Sequence, residues 1–81
     1  MSAAGAAPIL ERARKLQSDG ELQLACHLVD FVRKGEPDNA AAWKLWRDLF
    51  AARAAQEQSL MARGAFYYAV SQAEKRLEGL G

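Results

Sequence analysis

Two turn signals divide this sequence into helical segments of similar length. The first is Asp-Gly at positions 19–20, and the second is Gly-Glu-Pro-Asp-Asn at positions 35–39. Glycine closes a helix in the left-handed conformation, proline disfavours helix at the residue before it, and aspartate or asparagine caps the helix that follows. Apolar residues recur three and four positions apart around both signals, as on one face of an α-helix. The chain is therefore predicted to be all-α and built from helix-turn-helix units.

The turn chemistry predicts four helices, at about 8–18, 21–34, 40–57 and 60–78. Pro8 is favoured at a helix start because its missing N–H is not needed there. Asp19 is available to cap the second helix, and Ser59 the fourth. Gly64 weakens the start of the fourth helix by about 1 kcal/mol relative to alanine, so that the third and fourth helices could instead join with a bend.

A spacing of 34 residues relates the two halves of the chain. Trp43 and Phe50 follow Ile9 and Leu16 by 34 positions, which is the period of the tetratricopeptide repeat. The sequence thus resembles a pair of tetratricopeptide-like helical hairpins. The correspondence fails beyond Phe50, so we expect the second hairpin to be degenerate.

Composition narrows the classes of protein to which the chain can belong. It has 81 residues and a formal net charge of +1, so no overall field attracts nucleic acid or an anionic membrane, and neither partner is predicted. The single cysteine, Cys26, allows no internal disulfide and no cysteine zinc cluster. Residues 1–7 are small and uncharged, and we expect a flexible linker or a cloning remnant there, without the features of a secretory signal. Residues 8–78 then form one helical interaction domain, and no compartment is indicated.

Apolar residues at helical spacing define the predicted core. The second and third helices carry more apolar surface than the single stripe of a surface helix. Either these are central helices packed on two sides, or part of this surface contacts another chain or domain. The core is predicted at Ile9, Leu16, Ala25, Val29, Val32, Trp43, Trp46, Phe50, Phe66 and Val70. The association surface is predicted at Leu24, Leu28, Phe31, Tyr67 and Tyr68.

No catalytic, cofactor-binding or metal-binding residue is predicted. Cys26 and His27 are neighbours, but adjacent helical residues point about 100° apart and cannot pair as nucleophile and base. A zinc site needs three or four protein ligands, and His27 is the single histidine of the chain. We therefore expect a binding module rather than an enzyme.

A longer pattern of residues resembles the alkyl sulfatase dimerisation domain, over about 8–77. The pattern consists of Gly-Glu-Leu at 20–22, Ala25, Leu-Val at 28–29, Pro-Asp-Asn-Ala at 37–40, Met-Ala-Arg at 61–63, Phe-Tyr-Tyr at 66–68 and Ala-Glu at 73–74. In that family a tetratricopeptide-like helical segment follows a zinc-dependent catalytic domain of metallo-β-lactamase fold and helps two subunits associate. The histidine-rich zinc motif of the catalytic domain has no counterpart here.

The resemblance implies a non-catalytic module that pairs with a second copy or docks on a cognate catalytic domain, with zinc only in a parent protein of which this chain is a piece. Two alternatives stay open. The first is a freestanding tetratricopeptide-like adaptor that binds a peptide between its helices. The second is an accessory piece that shapes the substrate entrance of a zinc-dependent sulfatase or related hydrolase.

Overall fold

A computed structural model describes residues 3–80, with side chains from Gly5 onward. The described chain contains four helices: α1 Ala3–Ser18, α2 Leu22–Gly35, α3 Ala40–Gln56 and α4 Leu60–Leu80. These residues include no β-strand, and the predicted all-α, four-helix fold is confirmed. The helix bounds lie within two residues of the expected ones, except at the start of α1.

The start of α1 differs from the expectation. The helix begins at Ala3, so that Pro8 lies inside it, and Ala6 is buried in the core. Residues 3–7 are therefore helical and not a flexible linker. The proline signal suggested a later start, but alanine has the highest helix propensity and burial of Ala6 adds tertiary packing. Met1 and Ser2, the rest of the predicted linker, lie outside the described residues.

The turn between α1 and α2 is closed by Gly20. Its φ of +81° lies in the left-handed region, where a side chain would be strained. The backbone N–H of Glu21 donates to the Leu16 carbonyl at 2.8 Å, and that of Gly20 donates to the Gln17 carbonyl at 3.1 Å. These two bonds form a Schellman motif. The residue before α2 is Glu21 and makes no side-chain capping bond, so the cap expected from Asp19 is not formed.

Polar side chains cap the other two helix starts. The Asn39 side chain accepts a hydrogen bond from the Ala42 backbone N–H at 3.2 Å. The Ser59 hydroxyl accepts one from the Ala62 backbone N–H at 3.4 Å, in the predicted role. Residues 57–59 are not helical, so α3 and α4 are separate helices and not one bent helix.

The helices pack unequally. α1, α2 and α3 contact one another, whereas α4 packs only against α3 within the described chain. The core lies among the first three helices, and Leu49, Val29 and Val32 are the largest fully buried side chains. Ala54 and Ala73 are also buried but lie outside this cluster, on the two helices of the α3–α4 hairpin. No helix among the described residues is long and apolar enough to cross a bilayer.

Candidate interaction surface

The structure places the predicted core residues in two groups. Fully buried side chains belong to Ala25, Val29 and Val32, all on α2. The remaining seven are half-buried: Ile9, Leu16, Trp43, Trp46, Phe50, Phe66 and Val70. Ten further buried residues were not in the prediction: Ala6, Leu10, Ala13, Leu22, Cys26, Ala42, Leu45, Leu49, Ala54 and Ala73. Half of these are alanines, whose small side chains add little to a hydrophobic pattern.

On α3 the prediction selected one of two apolar stripes, and Trp46 and Phe50 of that stripe are half-buried and pack against the core. Leu45 and Leu49 are buried in the main core, whereas Trp43 and Trp46 lie half-buried on another side of the helix. Because α3 contacts α1, α2 and α4, it needs apolar residues on two sides. The sequence showed both stripes, and the packing makes the leucine stripe the deeper one.

Aromatic rings form a continuous row from α3 to α4. The Trp46 and Phe50 ring centroids are 4.5 Å apart, and those of Phe50 and Phe66 are 5.8 Å apart. Both pairs are tilted, an arrangement that the ring quadrupoles favour. Phe66 therefore points towards α3, which leaves the two tyrosines that follow it on the other faces of α4.

Two arginines stack on this aromatic row. The Arg33 guanidinium carbon lies 5.1 Å from the ring centroid of Trp43 and 4.4 Å from that of Trp46. The Arg53 guanidinium carbon lies 4.6 Å from the Phe66 centroid. Such cation–π contacts contribute about 0.5–2 kcal/mol each, depending on how far the cation is removed from water. They join α2 to α3 and α3 to α4.

Asp30 interacts with the Arg33 guanidinium through a charged hydrogen bond. Its carboxylate accepts from Arg33 and forms an ion pair with Lys34 at 3.1 Å. Burial raises the pKa of Asp30, but hydrogen bonds and charge from Lys34 and Arg33 outweigh it, and the pKa lies below its usual value. Arg33 Nε is buried without a hydrogen-bond partner in the described chain, so stacking and the single Asp30 bond orient the group.

The Pro37 carbonyl accepts two hydrogen bonds at the open end of the α3–α4 hairpin, where α3 begins and α4 ends. It accepts from the Trp43 indole N–H at 2.7 Å and from Arg76 Nε at 3.2 Å. Arg76 also donates to the Asp38 carboxylate at 2.8 Å. The α2–α3 turn is thereby attached to the C-terminal part of α4, which sets the antiparallel register together with the Phe50–Phe66 contact.

A shallow hollow of about 240 Å³ lies between α2 and α3. It is lined by Gln23, Cys26, His27, Asp30, Trp46, Phe50 and Arg53. Burial raises the pKa of Cys26, and the hydrogen bond and charge of Arg53 only partly offset this. Among residues 3–80 no three His, Cys, Asp or Glu side chains are grouped so that they could hold a metal ion.

Exposed apolar side chains occur on α2. Leu24 and Phe31 are 52% and 60% exposed, at one face of the helix. Leu28, predicted to share their surface, is half-buried and packs against the core. Of the three α2 residues predicted to contact a partner, two are therefore accessible.

A larger exposed apolar face lies on α4. Tyr67 and Tyr68 are 50% and 67% exposed, and Leu60 and Met61 at the start of the helix are almost fully exposed. The ten residues 64–73 include no charged side chain, and only Ala73 of α4 is fully buried. Tyr67 and Tyr68 were predicted for this surface, whereas Leu60 and Met61 were not. The signal that could have identified them is their helical spacing from Gly64 and Tyr68, which places all four positions on one side of α4.

These observations define a small all-α module. Its most accessible surface consists of apolar helix faces, and not of a cluster of reactive groups. The family profile described as Alkyl sulfatase dimerisation matches residues 1–76. The chain therefore belongs to the alkyl sulfatase dimerisation family, and the match includes residues 1–7, for which the sequence predicts a linker. No curated protein and no solved structure matches the chain. Membership supports a module for dimerisation or docking with protein partners.

Proposed function

We propose that this chain is a non-catalytic self-association module, which pairs two copies of the polypeptide that contains it. The observation that carries the proposal is the exposed apolar face of α4, a helix that packs against no helix but α3 among residues 3–80. Continuous exposed apolar surface of this kind is typical of protein interaction sites. The family to which the chain belongs is described by dimerisation, and this favours a second copy over an unrelated partner.

The size of the chain favours the same function. Small domains bury a low fraction of their surface and have correspondingly marginal stability. With 81 residues and a single cysteine, this chain gains no stability from a disulfide of its own. Association of folded chains stabilises them by mass action, so a dimer would have a melting temperature that rises with concentration.

The test is the mass of the chain in solution. Light scattering after size-exclusion chromatography, over a hundredfold range of concentration, should give twice the 8.9 kDa chain mass at the upper end. Circular dichroism of the same samples should show a helical spectrum and a melting temperature that increases with concentration. A folded monomer at every concentration would contradict self-association and favour docking on another domain.

The hollow between α2 and α3 favours a second candidate, a peptide-binding adaptor of the tetratricopeptide-like type. Its lining mixes aromatic rings with amide, imidazole and guanidinium groups that can contact a peptide. This candidate predicts a stable monomer. It also predicts that His27→Ala, which removes an exposed polar group from the hollow, impairs peptide capture without changing the oligomeric state.

A further inference from the structure

The outward face of α4, which carries Leu60, Met61, Tyr67 and Tyr68, also contains Gly64. No contact among the described residues requires a glycine at this position. Gly64 lies within the helix, its φ is not in the left-handed region, and a Cβ added to it would meet nothing within 4 Å. Glycine inside a helix is destabilising relative to alanine. A helical glycine in open space is useful where another backbone or side chain approaches closely from outside.

Tyr68 lies one helical turn after Gly64 on the same face. Residues four apart on a helix are neighbours on its surface. Phe66 and Ala73 mark the opposite face, because Phe66 contacts the Phe50 ring on α3 and Ala73 is buried. The outward face therefore carries a projecting ring and a shallow recess side by side.

We propose that α4 pairs antiparallel with α4 of a second copy, with each Tyr68 ring seated on Gly64 of the other chain. This inference rests on the proposed self-association and identifies the surface that performs it. A two-fold axis that passes midway between positions 64 and 68 places the Tyr68 ring of each copy on Gly64 of the other. One contact is thus made twice, which is the self-complementarity that an isologous interface requires.

Charge distribution favours the antiparallel orientation. The uncharged run ends at Glu74 and Lys75, so a parallel pair would place each of these residues beside its own copy. Like charges and aligned helix dipoles would then repel. In the antiparallel pair, the charged C-terminal turns lie at opposite ends and outside the apolar contact.

The available area suits a second helix of the same kind. A buried aromatic side chain contributes roughly 150–250 Å², so the exposed parts of Tyr67 and Tyr68 offer on the order of 200 Å² together. Leu60 and Met61, which are 81% and 89% exposed, extend this apolar area towards the start of α4. A standard interface buries about 800 Å² per partner, so this pairing forms a reversible, concentration-dependent dimer.

The test compares glycine substitutions by sedimentation equilibrium of the full chain. Gly64→Gln should raise the dimer dissociation constant at least tenfold while the melting temperature of the monomer stays the same or rises. Gly79→Gln is the matched control, because Gly79 is also helical, with nothing within 4 Å of its Cβ position, and lies beyond the apolar face. It adds the same side chain to the same helix and should leave the dissociation constant unchanged within about twofold.

Tyrosine and phenylalanine variants locate the surface independently. Tyr68→Ser should weaken the dimer at least tenfold, whereas Phe31→Ser on α2 should not. A dimer that survives both Gly64→Gln and Tyr68→Ser overturns this inference, and a dimer lost only in Phe31→Ser assigns the contact to α2. A wild-type chain that stays monomeric overturns the proposed function itself, so the two failures are distinguishable.

Discussion

The Arg76 guanidinium donates a hydrogen bond to the Asp38 carboxylate across 38 residues of sequence, at 2.8 Å. The same guanidinium reaches the Pro37 carbonyl, so it attaches the C-terminal part of α4 to the turn before α3. Among the helices of residues 3–80, α4 packs against α3 alone, and the Arg76 contact adds a polar link between its C-terminal part and the α2–α3 turn.

Arg76→Ala should free the C-terminal turns of α4 with little change in global stability. The carboxylate of Asp38 is largely exposed, and exposed ion pairs contribute about 0–1 kcal/mol. Hydrogen exchange measured by mass spectrometry should accelerate, relative to the wild-type chain, more in residues 73–80 than in α2. Lys75→Ala removes the same charge one residue away and should leave exchange as it is. Equal exchange in the Arg76 and Lys75 variants would show that the restraint is unimportant.

Leu49→Ala should be among the most damaging single substitutions in the chain. Leu49 is fully buried, and truncation of a buried leucine to alanine costs about 2–5 kcal/mol through lost burial and the cavity left behind. Urea unfolding should show this loss, or an unfolded chain.

Trp43→Phe should cost less than Leu49→Ala. It retains an aromatic ring for Arg33 and removes the indole hydrogen bond to Pro37, which is worth about 1 kcal/mol. Urea unfolding of the two variants measures both losses. A larger loss for Trp43→Phe would reverse the order that the burial indicates.

The free energy of unfolding should depend on pH through Asp30. The pKa of Asp30 is lowered in the folded chain, so its contribution is present above the unfolded pKa of about 4 and is lost as the pH falls through the lower folded value. The difference in stability between the wild-type chain and Asp30→Asn should therefore be constant near neutral pH and shrink in acid. A difference that persists well below pH 4 would contradict this assignment.

Cys26 should react slowly with iodoacetamide in the folded chain. The thiolate is the reactive form, and burial of Cys26 both raises its pKa and restricts access to its sulfur. At about pH 8, labelling should be much slower in buffer than in denaturing urea. The Cys26→Ala variant provides the unlabelled baseline. Similar rates in the two conditions would mean that the thiol is accessible without unfolding.

Much of the fold could be predicted because its signals are local. Gly20 closes its turn through backbone hydrogen bonds, and the side chains of Asn39 and Ser59 accept from backbone N–H groups three residues on, so every partner lies within five positions. All three turns lie where the sequence predicted them. The early start of α1 was missed because Pro8 resembles a first helical residue, while the burial of Ala6 that favours an earlier start is a tertiary effect.

The candidate surface was predictable only in part. The sequence identified Tyr67 and Tyr68 as accessible anchors, but it could not separate Leu28, which packs on the core, from the exposed Leu24 and Phe31. All three lie at helical spacing on one side of α2, so the sequence pattern treats them alike and only the tertiary packing separates them. The sequence alone also gave no reason to single out Gly64 as a recess.

What the sequence by itself determined is the number of helices, their turns and the presence of two apolar stripes on α2 and α3. These follow from hydrogen bonding and side-chain periodicity within single segments. Only the tertiary structure decided that the leucine stripe of α3 is the deeper one and that α4 has a single neighbouring helix in the part of the chain that the structure describes. The physical reason is that burial is a property of pairs of helices, and a stripe becomes core or surface only when another helix covers it or leaves it exposed.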